Sequence, residues 1–172
     1  MKKRRVGLLA GLISLVMVIS GCSAAVAKVG TAPDGNELAI EKATMKFMKD
    51  TMAGGYKLVS TEDLNKWVTE KKDMIIIDTM PADSFKNGHI PGAVNAELPK
   101  TTLADATAEQ KEAFIKLLGT DKTKTIVVYC GFVGCARSDV GAVIAMEQGF
   151  KEVYRMPGGI IAWTAAKYAA EK

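Results

Sequence analysis

What this sequence has little of narrows its chemistry first. Its 172 residues include one histidine, His89, so a single chain cannot supply a multi-histidine metal site. Three cysteines are too few for a fold held together by disulfides. The apolar run Val6 to Ile19 carries no charge. As a helix its fourteen residues span about 21 Å, short of the roughly 30 Å hydrocarbon core of a bilayer. No acidic residue precedes Asp34. The formal charge of +4 rests on Lys2, Lys3, Arg4 and Arg5; without them 19 basic residues face 19 acidic ones. A neutral remainder gives no support for a basic face that binds nucleic acid. With 48% hydrophobic and 24% charged residues, the chain is neither wholly disordered nor a polytopic membrane protein. Its length suits one domain with a short appendage.

The N-terminus reads as an address. A cationic start, a short apolar run and small residues describe a signal peptide over residues 1–21. The run ends Ile19-Ser20-Gly21-Cys22, which resembles a bacterial lipobox. The mature chain would then begin at a lipidated Cys22, on the extracytoplasmic side of a membrane, periplasmic or at the cell surface. Lipid chains would hold it there, each buried CH₂ contributing about 0.8 kcal/mol. An uncleaved anchor and an ordinary cleaved signal are the alternatives. Residues 22–36 are small and polar and read as a tether.

Residues 37–55 read as an amphipathic helix. Leu38, Met45, Met48 and Met52 share one stripe, expected to pack on the domain because methionine fills core gaps, with a binding surface as the alternative. From residue 56 strand and helix alternate. Lys57-Leu58-Val59, Met74 to Ile77, Ala93 to Asn95, Thr125 to Tyr129 and Glu152 to Arg155 are strand candidates. Helices are expected behind the Ser60-Thr61-Glu62-Asp63 cap, over Ala108–Leu118 and Arg137–Gln148, and from Ile161 to Ala170. That order argues for an α/β fold with a parallel sheet flanked by helices, filling residues 56–172.

The clearest strand ends in Cys130. Gly131, Phe132, Val133, Gly134, Cys135, Ala136 and Arg137 then lead into a helix. A helix N-terminus presents unpaired N–H groups and partial positive charge, so a thiolate facing it is stabilised. The two glycines let successive N–H groups converge on an anion, and Arg137 adds a forked cation.

Two more segments flank this loop: Gly88-His89-Ile90-Pro91-Gly92-Ala93, and Arg155-Met156-Pro157-Gly158-Gly159-Ile160-Ile161-Ala162-Trp163. With Asp78 closing the second strand, the set resembles the rhodanese (sulfurtransferase) family over about residues 57–168. The resemblance implies a five-stranded parallel sheet with helices on both faces. It implies Cys130 as a catalytic cysteine that carries sulfane sulfur as a persulfide. The substrates would be a small sulfur-donor anion such as thiosulfate and a thiol or cyanide acceptor, with no metal and no organic cofactor. Asp78 and His89 would be structural residues near the site.

Two departures stand out against the family pattern. Its loop usually has six residues from the cysteine, often with Arg sixth and Ser next. Here the sixth residue is Cys135, and Arg137-Ser138 follow. Either the loop is eight residues long, or the helix starts near Cys135 and puts its thiol at the pocket rim. Met80 stands where an Arg is common. Two alternatives stay open: a non-catalytic sulfane-sulfur carrier and, because of Cys135, a thiol–disulfide redox protein using Cys130 and Cys135.

Overall fold

The structure, a computed structural model, describes residues 36–172. The signal peptide, the Cys22 lipidation motif and the tether up to Gly35 lie outside the described residues.

Strands β1 (Lys57–Leu58), β2 (Met74–Asp78), β3 (Val94–Asn95), β4 (Thr125–Tyr129) and β5 (Val153–Met156) form one sheet. Its order is β1-β5-β4-β2-β3 and every pairing is parallel. The helices are α1 (Glu37–Gly54), α2 (Thr61–Thr69), α3 (Ala82–Asn87), α4 (Ala108–Leu118), α5 (Arg137–Glu147) and α6 (Gly159–Ala165). This is the α/β architecture expected from the sequence.

The central strands are apolar without alternation because both their faces are covered. Ile126 and Val128 of β4 pack with Ile77, with Phe114 of α4 and with Val140 and Ile144 of α5. Val127 and Tyr129 pack on the other face with Ile76, Leu64 of α2 and Trp163 of α6. Fully burying each large apolar side chain contributes about 1.5–3 kcal/mol. Helix α5 lies so close to β4 that a methyl group on Gly141 would sit 2.9 Å from Phe114 and Val128.

Local caps follow the sequence. Ser60 Oγ accepts from Asp63 N at 2.9 Å to start α2, and Thr107 with Gln110 closes a reciprocal capping box on α4. Three elements differ from expectation. Helix α3 fills a segment between two strand candidates where no helix was expected; six residues are too short to show a period. Helix α6 stops at Ala165, because Lys167 turns the chain at φ 61° and Glu171 then bridges back to His89.

The third difference is α1. Its methionine stripe does not pack on the domain: Leu38, Met45, Met48 and Met52 are between 50% and 81% exposed. The helix meets the domain by the opposite face. The Phe47 ring lies 5.0 Å from the Arg155 guanidinium, and Ala43 stands beside Gly134. Ala43, Phe47 and Gly54 recur at helical spacing, and two of them are small enough for close approach. Among the described residues no helix is long and apolar enough to cross a membrane.

Candidate active site

The chain leaves β2 toward β3 and leaves β4 toward β5, in opposite directions across the sheet. The loops after β2 and β4 therefore part, opening a crevice at the carboxyl edge of the strands. Asp78 and Tyr129 are register partners at that edge. Thr79 N and Oγ1 both donate to the Tyr129 carbonyl, at 3.0 and 2.8 Å, and fix the residue ahead of Cys130. From the other side, Ile160 N donates to the Cys130 carbonyl at 2.9 Å and Ile161 N to that of Gly131 at 3.1 Å. That approach requires glycine at 159. Its φ is 61°, and a Cβ there would lie 2.4 Å from the Cys130 carbonyl oxygen.

Cys130 is fully buried. Its Sγ lies 3.2 Å from Ser138 Oγ and 3.5 Å from the Cys135 carbonyl. Ser138 accepts from Arg155 Nε at 2.9 Å, which leaves its single hydrogen for the Cys130 sulfur. Arg155 is itself buried in β5. Its other donors reach the Tyr56 hydroxyl and the Cys135 carbonyl, each at 2.9 Å, and Asp139 lies 3.8 Å away. Burial, with the Asp139 hydrogen bond, pushes Tyr56 up to about 12. Tyr56 therefore stays protonated and donates to Asp139 at 2.6 Å.

Helix α5 starts at Arg137 with Ala136 before it, so the loop from Cys130 runs seven residues, between the two lengths expected. Cys135 sits inside it, buried rather than at the rim. Its N–H donates to the Phe132 carbonyl at 3.0 Å, curling the loop back on itself. Both cysteines are free, and the Cys130 sulfur lies 3.5 Å from the Cys135 carbonyl. The neighbouring Cys130 thiol holds the Cys135 thiol below the ordinary thiol range; burial opposes this, while the N–H groups of Arg137 and Gly131 and the Arg137 charge add to it. The neighbouring Cys135 thiol pushes the Cys130 thiol up, together with burial, against the Ser138 hydrogen bond.

The helix N-terminus expected to stabilise a Cys130 thiolate thus acts on Cys135 in the resting thiol pair. The cause is local. Cys130 Sγ faces the carbonyls of Phe132 and Cys135, at 3.9 and 3.5 Å, which favour S–H. Cys135 faces N–H groups, which favour S⁻.

The remaining site residues fall into place around this pair. Phe132 and Val133 are exposed and form the rim. The Met80 thioether end lies over Gly131, and Gly134 stands against α1. Ala136 is buried as the residue before α5. Arg137 does not fork over the loop: its guanidinium donates to the Leu98 carbonyl, with Glu97 3.8 Å away. Asp78 Oδ1 accepts from Met80 N at 2.8 Å, orienting the chain after β2, and burial pushes its carboxyl up. His89 stacks on Phe85 at 3.8 Å, bonds the Phe85 carbonyl through Nδ1 and pairs its backbone with Glu171. Its partners are α3 and the chain end. Among the described residues no group of three His, Cys, Asp or Glu could hold a metal ion.

Sequence reasoning missed Thr79, Ser138 and Arg155. One signal was available for Arg155: a charged residue within a buried parallel strand needs partners.

This geometry sits in a recognisable frame. The sequence profile of the Rhodanese-like domain matches residues 60–166. The chain belongs to the rhodanese-like family. It is 32% identical over 111 residues to a thiosulfate sulfurtransferase GlpE of Coxiella burnetii, covering 64% of this chain and 89% of that one. A GlpE of Shewanella oneidensis is 36% identical over 99 residues, covering 58% and 84%. The solved polysulfide-sulfur transferase homodimer of Wolinella succinogenes shares the fold at TM-score 0.54 and 20% identity, over 80% of this chain and 90% of that one. The thiosulfate sulfurtransferase of Pseudomonas aeruginosa does so at TM-score 0.58 and 16% identity, over 80% and 26%. Helix α1 precedes the part of this rhodanese-like chain that the profile matches.

Proposed function

We propose that this rhodanese-like protein is a lipid-anchored, extracytoplasmic sulfurtransferase that moves sulfane sulfur through a persulfide on Cys130. One observation carries the reading. Cys130 ends the central strand at the crevice, with its sulfur on a Ser138 hydroxyl that Arg155 orients. The thiosulfate sulfurtransferase relatives supply the donor class. Cys130, as thiolate, attacks the outer sulfur of thiosulfate; the S–S bond of the donor breaks and sulfite leaves. The persulfide then gives its outer sulfur to a thiol or to cyanide. This is covalent catalysis, one hard step split in two. Backbone N–H groups of the loop after Cys130 would receive the negative outer sulfur, as an oxyanion hole receives oxygen. The anchor rests on the Ser20-Gly21-Cys22 motif and places the chemistry beside a membrane.

The test is an intact-mass spectrum of reduced, desalted protein exposed to thiosulfate. The expected result is a gain of one sulfur mapping to Cys130, lost entirely in Cys130→Ser. Sulfur retained by Cys130→Ser would overturn the assignment. Steady turnover with cyanide separates the enzyme from a non-catalytic carrier, which would load and then stall. The closeness of Cys135, whose carbonyl lies 3.5 Å from the Cys130 sulfur, favours a second, redox role, developed next.

A further inference from the structure

The loop holds two thiols where sulfur transfer needs one. Cys135 is buried, and its carbonyl lies 3.5 Å from the Cys130 sulfur. Its carbonyl is fixed by Arg155 and its amide by the Phe132 carbonyl, so the thiol has little freedom to turn away. It is also where it can be used. Once Cys130 carries a second sulfur, the inner sulfur is still the buried Sγ. An external thiol approaching over Phe132 and Val133 meets the outer sulfur. Cys135 is the buried thiol of the same loop, on the residue whose carbonyl already touches the inner sulfur.

We propose that Cys135 is a resolving thiol, which displaces the outer sulfur of the Cys130 persulfide as hydrosulfide and leaves a Cys130–Cys135 disulfide. This rests on Cys130 carrying sulfur as described above. The step balances. Cys130, as thiolate, attacks thiosulfate, and sulfite leaves, while Cys135 holds its own proton. Cys135 gives that proton to the outer sulfur and becomes a thiolate. It then attacks Cys130 Sγ: a Cys135–Cys130 S–S bond forms, the bond to the outer sulfur breaks, and HS⁻ departs with the electron pair and the proton. Sulfane sulfur is reduced by two electrons, and the two cysteine thiols are oxidised to a disulfide. Two equivalents of an external thiol, or one of a dithiol, restore the pair by exchange.

The loop therefore chooses between two outcomes. Attack on the outer sulfur by an external acceptor transfers it. Attack on the inner sulfur by Cys135 releases it as sulfide and closes the site until a thiol reopens it. The disulfide that the sequence left open as an alternative becomes an intermediate of the sulfur cycle. The extracytoplasmic compartment proposed above would let it persist.

The test uses the full chain, reduced and freed of reductant without oxygen, then mixed with thiosulfate or, in parallel, with a low-molecular-weight hydropersulfide. Sulfide is measured in solution, and the cysteine-containing peptides are mapped without reduction. The native protein is expected to release about one equivalent of sulfide per chain and to end with a Cys130–Cys135 crosslink. Cys135→Ser and Cys135→Ala should hold the sulfur on Cys130 and release at least about tenfold less sulfide, with circular dichroism showing that they are folded. Native protein that keeps its persulfide, or variants that release sulfide equally, would overturn the resolving role. Loading by the native protein but by neither variant would place Cys135 in the loading step instead and would also overturn it. If no form loads with either donor, the sulfur-carrier reading falls and this one falls with it.

Discussion

The carboxyl end of β4 and the amino end of α5 present the same functional group in opposite surroundings. Cys130 ends a strand, faces carbonyl oxygens and keeps its proton. Cys135 precedes a helix, faces N–H groups and yields its proton early. Five positions apart in sequence, they differ because the curled loop turns the Phe132 and Cys135 carbonyls onto the Cys130 sulfur. The site pairs a buried sulfur acceptor with a second thiol in the same loop.

The strand-end half depends on how tightly α6 binds the loop, and this is where the comparison breaks most severely. Gly159→Ala adds a Cβ that would meet the Cys130 carbonyl oxygen at 2.4 Å, at a φ that only glycine adopts cheaply. The backbone must shift on one side or the other. Strain and overpacking together are expected to destabilise the domain by more than about 3 kcal/mol. Urea unfolding followed by circular dichroism reads this. A midpoint unchanged from the native protein would mean that α6 does not hold the Cys130 carbonyl.

Arg155 joins the two halves, since one guanidinium reaches Ser138 beneath Cys130 and the carbonyl of Cys135. Arg155→Met keeps the volume and removes the charge. It leaves Asp139, Tyr56 and the Cys135 carbonyl short of a donor. Removing one partner of a buried ion pair costs about 3–5 kcal/mol; Asp139 keeps some contact with water, so a loss near about 2–3 kcal/mol is expected. Sulfur loading of Cys130 should also slow roughly tenfold, matching about 1.4 kcal/mol of lost orientation through Ser138. Ser138→Ala should reproduce the slower loading with much less loss of stability. Equal stability losses in the two variants would make Arg155 a packing residue alone.

How much of this was legible depends on the scale of each signal. Continuous apolar runs such as Met74 to Ile77 and Thr125 to Tyr129 announce strands covered on both faces, and the sheet follows from their alternation with helices. The order of the Gly-His-Ile-Pro-Gly-Ala and Pro-Gly-Gly segments around Cys130 carried the family. Which sulfur the loop amides would serve was not legible. It depends on whether the chain curls before or after Gly134, which spacing does not encode. The Phe132 carbonyl, by accepting the Cys135 N–H, decides it. Helix α1 misled for a related reason. Its methionines are the most apolar stripe, yet Ala43 and Phe47 fit the loop and the Arg155 guanidinium. Periodicity shows that a face exists, and shape decides which face packs.

The smallest effect sharpens the comparison most finely. Iodoacetamide reacts with thiolate, so labelling against pH reports each thiol separately when peptides are mapped. Cys135, held below the usual thiol range, should label first as pH rises from roughly 5 to 9, through a midpoint below the ordinary value of about 8.5. Cys130, pushed up, should label later, and only where the first label leaves it reachable. Arg137→Ala removes a positive charge that favours the Cys135 thiolate but leaves the backbone N–H at that position in place. The charge also reaches toward Glu97 and the Leu98 carbonyl, so it acts on the thiol from one side only. Its loss should raise the Cys135 midpoint by about half a pH unit, a shift worth roughly 0.7 kcal/mol. No shift would assign the acidity of Cys135 to Cys130 and the backbone amides alone. Labelling that begins at Cys130 would reverse the comparison itself.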